Sequence, residues 1–281
     1  MIEKLTAGID WVSCTLGREE IDYQVWKGDA LYALQKVCEE GYTLHPRKLL
    51  GYEGYAAGNC FVGANDTTCY AQFSGEKADW AYDYLIHPEA HYSRIDVQLT
   101  VKTYVMDNKE GKRCYRAAMD NNKSLPEGRR RKIWIIIGSD GGDTCYVGAP
   151  SSDQRARIYN KEVQSEELQY TRCWRYEVVF RNGLATELAR TGLNSTVERT
   201  KFCMEVVTNW LAERGVSIPH LVRRTALVLP IERTKPTEVE ASIKWLREQV
   251  RPTIRRLTEL GYRDAAVEAI GIDTTKTAEQ T

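Results

Sequence analysis

Tyr159 stands in the run Arg155-Ala-Arg157-Ile-Tyr159-Asn-Lys161, with two arginines before it and a lysine just after. If this run is a strand, Arg155, Arg157 and Tyr159 share one face, because side chains repeat every two residues. A phenol ringed by cations is either a solvated strand residue or a group that meets an anion. A tyrosine hydroxyl can attack a phosphodiester. Its ordinary pKa is about 10, so at neutral pH it needs a partner that activates it. Arg157 and Lys161 could stabilise the charge that develops on the phosphate.

Two carboxylates complete this constellation. In the alternating stretch 92–103, Asp96 opposes the face of Ile95 and Val97, and in 172–181 Glu177 opposes Tyr176 and Val178. Strands side by side would bring Asp96, Glu177 and Tyr159 to one surface. Such a carboxylate pair suits a hard divalent cation, Mg2+ or Mn2+, which takes oxygen ligands and polarises phosphorus. The bland reading stands beside this one: a strand Asp or Glu is ordinarily solvated, and a strand tyrosine ordinarily packs.

Other motifs exclude chemistry or leave it open. His87-Pro-Glu-Ala-His91 has metal-like spacing, but Pro88 disfavours the helix that would align both imidazoles. There is no phosphate-binding G-x-x-x-x-G-K-[ST] motif, and hence no P-loop ATPase. The basic run Arg129, Arg130, Arg131, Lys132 could grip phosphates or mark a charged loop. Lys244, Arg247, Arg251 and Arg255 fall at helical spacing, inside a stretch (223–256) with nine Lys and Arg against four Glu. A DNA backbone and a solvated helix face account for that patch equally well.

The elements that must position these residues are legible in outline. Residues 8–16 alternate as a half-buried strand, 29–41 and 76–86 read as helices, and a hairpin turns at Asn65-Asp66. Strands at 92–103, 131–138, 143–149, 155–161 and 172–181 follow at short spacing, which favours antiparallel pairing. From Asn194 the chain reads as helical: Ser195 and Glu198 form a capping box, and 237–260 is a helix that Pro252 should bend or break near Arg251. The fold class is α+β, with a mostly antiparallel central sheet, flanking helices and a helical C-terminal region. The organisation expected is a catalytic domain at 1–190, a helical region for DNA binding or dimerisation at 191–270, and a disordered tail at 271–281.

Bulk properties set bounds. The 281 residues are 42% hydrophobic and 28% charged, with 39 basic against 39 acidic side chains, so any case for nucleic acid rests on local clustering. No apolar run approaches the roughly 18–20 residues of a membrane helix. The opening residues do not read as a secretory signal. The eight cysteines show no C-x-x-C pair and read as buried thiols of a reducing, cytoplasmic compartment.

These pieces resemble, in order, the replication initiation factors of rolling-circle plasmids and phages, a family that includes relaxases of integrative conjugative elements. GIDWVSCTL is similar to the family's opening strand. CYAQFSGEKADW resembles its strand followed by Ser74-Gly75, and YSRIDVQLTV its Arg-hydrophobic-Asp strand, here Arg94 and Asp96. DTCYVGAPSSDQRARIYNKEVQS looks like its most distinctive block, a Tyr-x-Gly turn leading to Arg-hydrophobic-Tyr-x-Lys. CWRYEVVFRN resembles its Arg-aromatic-Glu strand, here Arg175 and Glu177, and SIKWLREQVRPTI a C-terminal helix element.

The resemblance implies a site-specific endonuclease that nicks one strand at a replication origin, at a single-stranded or hairpin site, and stays attached through a 5′-phosphotyrosine. It implies Tyr159 as nucleophile with Arg157 and Lys161 beside it, and Asp96 and Glu177 as metal ligands. The partners implied are origin DNA, a host helicase and polymerase, and a second copy of the chain. Many relatives carry a further Asp shortly after the first; here those positions are Gln98 and Thr100, so a third ligand would be Asp10 or Glu76. Two alternatives stay open: a conjugative relaxase with the same chemistry, and a non-catalytic origin-binding protein of the same fold.

Overall fold

A computed structural model describes residues 2–104, 109–138, 142–165, 170–192, 196–218 and 250–262, together with Leu221, Ser242, Leu246 and Ala265. By internal contacts the chain divides into Met1–Leu229 and Pro230–Thr281. Within the first unit run β1 (Ile2–Gly17), α1 (Tyr23–Glu39), β2 (His45–Leu49), β3 (Tyr52–Ala57), β4 (Cys60–Ala64), β5 (Thr68–Ser74), α2 (Glu76–Ala81) and β6 (His91–Thr103). They are followed by α3 (Glu110–Lys123), β7 (Ile133–Ile136), β8 (Thr144–Val147), β9 (Gln154–Asn160), α4 (Lys161–Gln164), β10 (Cys173–Arg181), α5 (Gly183–Gly192) and α6 (Thr196–Ala212). In the second unit the described helix is α7 (Arg251–Glu259), which has Pro252 in its first turn, where a missing N–H does no harm.

The strands form one sheet in the order β2-β3-β4-β5-β1-β6-β10-β9-β8-β7, and every pairing is antiparallel. The fold is α+β, as the close spacing of its strands implied. The sheet's two faces differ sharply. One carries Ile9, Val12, Ile95, Val97, Leu99, Tyr176, Val178, Ile158, Ala156, Cys145 and Val147, all buried. Helices close this face: Tyr176 of β10 donates to Glu110 of α3, Tyr92 of β6 packs on Tyr82 just after α2, and Trp210 of α6 donates to Gln154 of β9. The other face carries Asp96, Glu177, Arg175, Arg157 and Tyr159, in register across β6, β10 and β9.

β1 pairs with β5 only from Trp11 onward, and its earlier residues meet α2 instead. There the Asp79 carboxylate accepts the Ile9 N–H at 2.8 Å, and Gly75 N–H donates to Asp10 O at 2.8 Å, so the open ladder is satisfied by side chain and loop. Gly8 makes this approach possible: a Cβ there would stand 2.8 Å from Asp79 Oδ1. A bulge between Ile9 and Trp11 interrupts the alternation that the sequence suggests, and both Asp10 and Trp11 turn to the polar face.

Several elements differ from the sequence reading. α1 begins six residues earlier than expected, at Tyr23, so Asp29 lies inside it. The stretch 76–86 is a short helix followed by a 3-10 turn, not one helix. α3 has no counterpart in the sequence reading, because its inward positions Gly111, Cys114 and Ala118 are small and leave a weak apolar stripe. Helix α6, assigned by sequence to a separate region from 191 onward, packs on β1 and β6 through Cys203, Val206 and Val207 and falls in the first unit. Ser195, and most of 237–250, lie outside the described residues. All eight cysteines are free thiols, seven of them buried, and among the described residues no helix is long and apolar enough to cross a membrane.

Arg199 of α6 is buried and donates to the Asp79 carbonyl and the Asp83 carboxylate, tying α6 to α2 and the turn after it. Arg199→Ala should lower unfolding stability by about 2–4 kcal/mol, since it opens a cavity and strips charged hydrogen bonds. Urea denaturation with an unchanged slope checks it, and a shift of the midpoint within error of the parent's would contradict it.

Candidate active site on the polar face of the sheet

β10 is buried along eight of its nine residues, yet it contains Arg175 and Glu177. Burying a carboxylate is tolerable only when it is neutralised or paired. Glu177 has no exposure, and its cross-strand partner Arg157 meets it with Nε at 2.7 Å from Oε1 and a terminal nitrogen at 2.6 Å. The second oxygen, Oε2, accepts the Tyr159 hydroxyl at 3.3 Å. Asp96, also fully buried, is held by Arg94 at 2.7 and 2.5 Å. Asp10, turned inward by the bulge, accepts from Arg175 at 2.6 Å, and Arg175 Nε donates to Thr100 at 3.0 Å. The site is a mosaic of alternating carboxylates and guanidiniums, each acid matched to an arginine.

The electrostatics follow from this crowding. Burial pushes the Glu177 carboxyl up to about 7; the neighbouring Asp96 adds to the rise, and Arg157 opposes it. Burial also raises Asp10, with Glu177 adding to it and Arg175 opposing. The Tyr159 phenol is raised, first by burial and then by Glu177, so it rests protonated. Its ring is only 3% exposed, and the guanidinium of Arg157 lies over it, 5.5 Å from the ring centre, itself 35% exposed. Beyond Arg175, Tyr170 lies 5.4 Å from its guanidinium and donates to Glu76 at 2.5 Å, while Lys161 sits 4.9 Å from the Tyr170 ring. Two open clefts of about 300 and 680 Å³ border Tyr170 and Arg175, the first reaching Asp10 and the second Lys161.

The structure thus brings Tyr159, Arg157, Asp96 and Glu177 to one face, with Lys161 at the end of β9 where α4 begins. Asp10 joins them, while Glu76 is engaged at the start of α2. Arg129, Arg130 and Lys132 are exposed and Arg131 is half-buried, all just before β7. Arg251 and Arg255 are exposed on α7 in the second unit; Lys244 and Arg247 lie outside the described residues. Sequence reasoning placed Arg155 on this face by parity but gave it no role, and it gave none to Tyr170 or to Arg94 and Arg175, which hold Asp96 and Asp10. As a divalent-ion site the acids do not fit as arranged: each buried carboxylate already faces a guanidinium. Among the described residues no group of three His, Cys, Asp or Glu could hold a metal ion.

Because Glu177 binds its proton more tightly folded than unfolded, it weakens the fold as pH rises from about 4.5, its ordinary value, to about 7. The difference in unfolding free energy between parent and Glu177→Gln should therefore fall across that window. A flat difference curve would show that the folded carboxyl titrates normally.

A family profile described as "Replication initiation factor" matches residues 77–270, more than half of the chain, and this span includes Asp96, Tyr159 and Glu177. A solved rolling circle replication initiator protein from Geobacillus stearothermophilus is 18% identical. The similarity covers 81% of this chain and 91% of that one, with a TM-score of 0.50, which speaks to the fold alone. No curated protein sequence matches. With the profile spanning this much of its length, the chain belongs to the replication initiation factor family.

Proposed function

We propose that the protein initiates rolling-circle DNA replication by nicking one strand, with Tyr159 as nucleophile and Glu177 as its general base. The observation that carries this is the Tyr159 hydroxyl donating to Glu177 Oε2, in a carboxylate whose other oxygen is held by Arg157. A nucleophile within hydrogen-bond reach of a base that a third group orients is the geometry nucleophilic catalysis uses. A carboxyl raised to about 7 is deprotonated often enough at neutral pH to accept the phenolic proton and basic enough to keep it.

In this reaction the Tyr159 oxygen bonds to phosphorus as the bond from phosphorus to the 3′ oxygen breaks. Glu177 takes the phenolic proton. The departing oxygen takes a proton from solvent water and becomes a free 3′-hydroxyl for a host polymerase, and the 5′ phosphate remains on Tyr159. Protonated Glu177 no longer holds Arg157 by charge, so the guanidinium over the Tyr159 ring is freed for the phosphate as negative charge builds there. The reverse transesterification rejoins the strand. Mg2+ or Mn2+ on Asp96 and Glu177 is a further proposal; such an ion has to displace both guanidiniums, and nicking with and without EDTA reads whether it contributes.

One observation favours the second reading, a non-catalytic origin-binding protein: Tyr159 is almost entirely covered. Supercoiled DNA carrying the sequence around its own gene separates the two. Nicking should leave protein covalently attached to the 5′ end, and Tyr159→Phe should abolish that adduct while retaining binding. Glu177→Gln should slow nicking by about 10²–10⁴-fold and erase an acid limb near pH 7. Binding without any adduct in the parent would sink the nicking reading and leave the binding one.

A further inference from the structure

The row of side chains through Glu177 and Arg157 does not end at β9. Arg157 pairs with Tyr146 on β8, and Tyr146 pairs with Trp134 on β7, so both aromatics stand on the face of Tyr159. Their rings are stacked, centres 4.8 Å apart and planes 9° from parallel. Both are half-buried, and α3 packs on the opposite face, where Glu110 takes the Tyr176 hydroxyl. β7 is the last strand of the sheet, so among the described residues no further strand covers the outer side of Trp134.

The surroundings are cationic. Arg129, Arg130 and Lys132 are exposed immediately before β7. Arg155 lies on the same face as Arg157, two residues earlier, and among the described residues it has no carboxylate within ion-pair distance. Burial lowers its pKa, Arg181 and Arg94 press it further down, and Asp96 opposes them. Cross-strand stacking by itself stabilises a sheet. It does not explain why the pair continues the row of the proposed nucleophile, on the face opposite the packed helices, between cations.

We propose that Trp134 and Tyr146 form a stacking ledge for an unpaired base of the strand presented to Tyr159, with Arg155 and the 129–132 run taking neighbouring phosphates. The ligand class is single-stranded DNA, recognised without base preference, because every base offers a π face and a continuous backbone charge. Tyr146 stands one strand and Trp134 two strands from Arg157, about 5 and 10 Å, so the base the ledge takes is a near neighbour of the scissile phosphate. This inference rests on the nicking reading for the position of that phosphate.

The test is fluorescence anisotropy with labelled single-stranded oligonucleotides, in the full chain carrying Tyr159→Phe so that nothing is trapped covalently. Trp134→Ala should weaken binding about tenfold and Trp134→Phe no more than about threefold. In the parent, an abasic residue should weaken binding at one position of a scanned oligonucleotide, and that penalty should vanish in Trp134→Ala, which a merely loosened variant would not show. If the parent binds the oligonucleotide and Trp134→Ala binds as well, or no abasic position is coupled to Trp134, the ledge is overturned and the nicking reading is untouched. If the parent binds no single-stranded DNA, the ledge falls together with the DNA reading.

Discussion

Glu177 can lie without solvent in the middle of a ten-stranded sheet only because Arg157 is placed across from it by the β9–β10 register. Removing one partner of such a pair leaves an uncompensated buried charge, which is among the most destabilising changes a core can suffer. The pair is therefore a constraint on the register itself. A one-residue slip of β9 would turn Arg157 toward the apolar face, expose Ile158 to the polar one, and strand both charges. Arg175 of β10 with Asp10 of β1 repeats the logic across β6, whereas Arg94 and Asp96 neutralise each other within β6. The charges that give the site its chemistry also fix the strands that build it.

The same partition explains why the described helices gather on the apolar face. Strands β6 and β10 sit at the centre, and the helices that bury their apolar face approach from one side: α3 at Tyr176, α5 at Tyr92 and α6 at Gln154. A polar face with paired charges needs no such cover. It can take a polyanion without unfolding anything, provided the anion replaces a contact that a carboxylate already makes. Long-range pairing of β1 with β6 and of β6 with β10 means that no single hairpin carries the site; it exists only when the whole sheet has formed.

Much of this was legible in the residues. Alternation in 92–103 and 172–181 named the faces of Asp96 and Glu177, and the parity of Arg155, Arg157 and Tyr159 put them together before any pairing was known. The fold class followed from strands too close in sequence for parallel crossovers. What stayed hidden has physical causes. The bulge at Asp10 lies where β5 hands one edge of β1 over to α2 while β6 holds the other, which no local pattern records. α3 was invisible because close packing against β8 and β9 demands small residues, and a Cβ on Gly111 would stand 3.0 Å from Asp143. The β2–β3 hairpin was missed because its outer strand is almost wholly exposed and shows no apolar alternation.

Whether the acids serve as metal ligands or as a proton acceptor turns on competition for the same lone pairs. Both oxygens of Glu177 are engaged, one by a guanidinium and one by the phenol. A metal on Glu177 would hold it ionised and leave Tyr159 without its acceptor. A proton on Glu177 does the reverse, releasing Arg157 and taking charge from the phenol. The two roles also make opposite demands on the pocket: ion binding favours a depressed carboxyl pKa, whereas Glu177 is raised by its burial and by Asp96 beside it. On the nicking reading, that rise favours proton acceptance, and it places the switch for Arg157 on the same carboxylate whose other oxygen activates Tyr159.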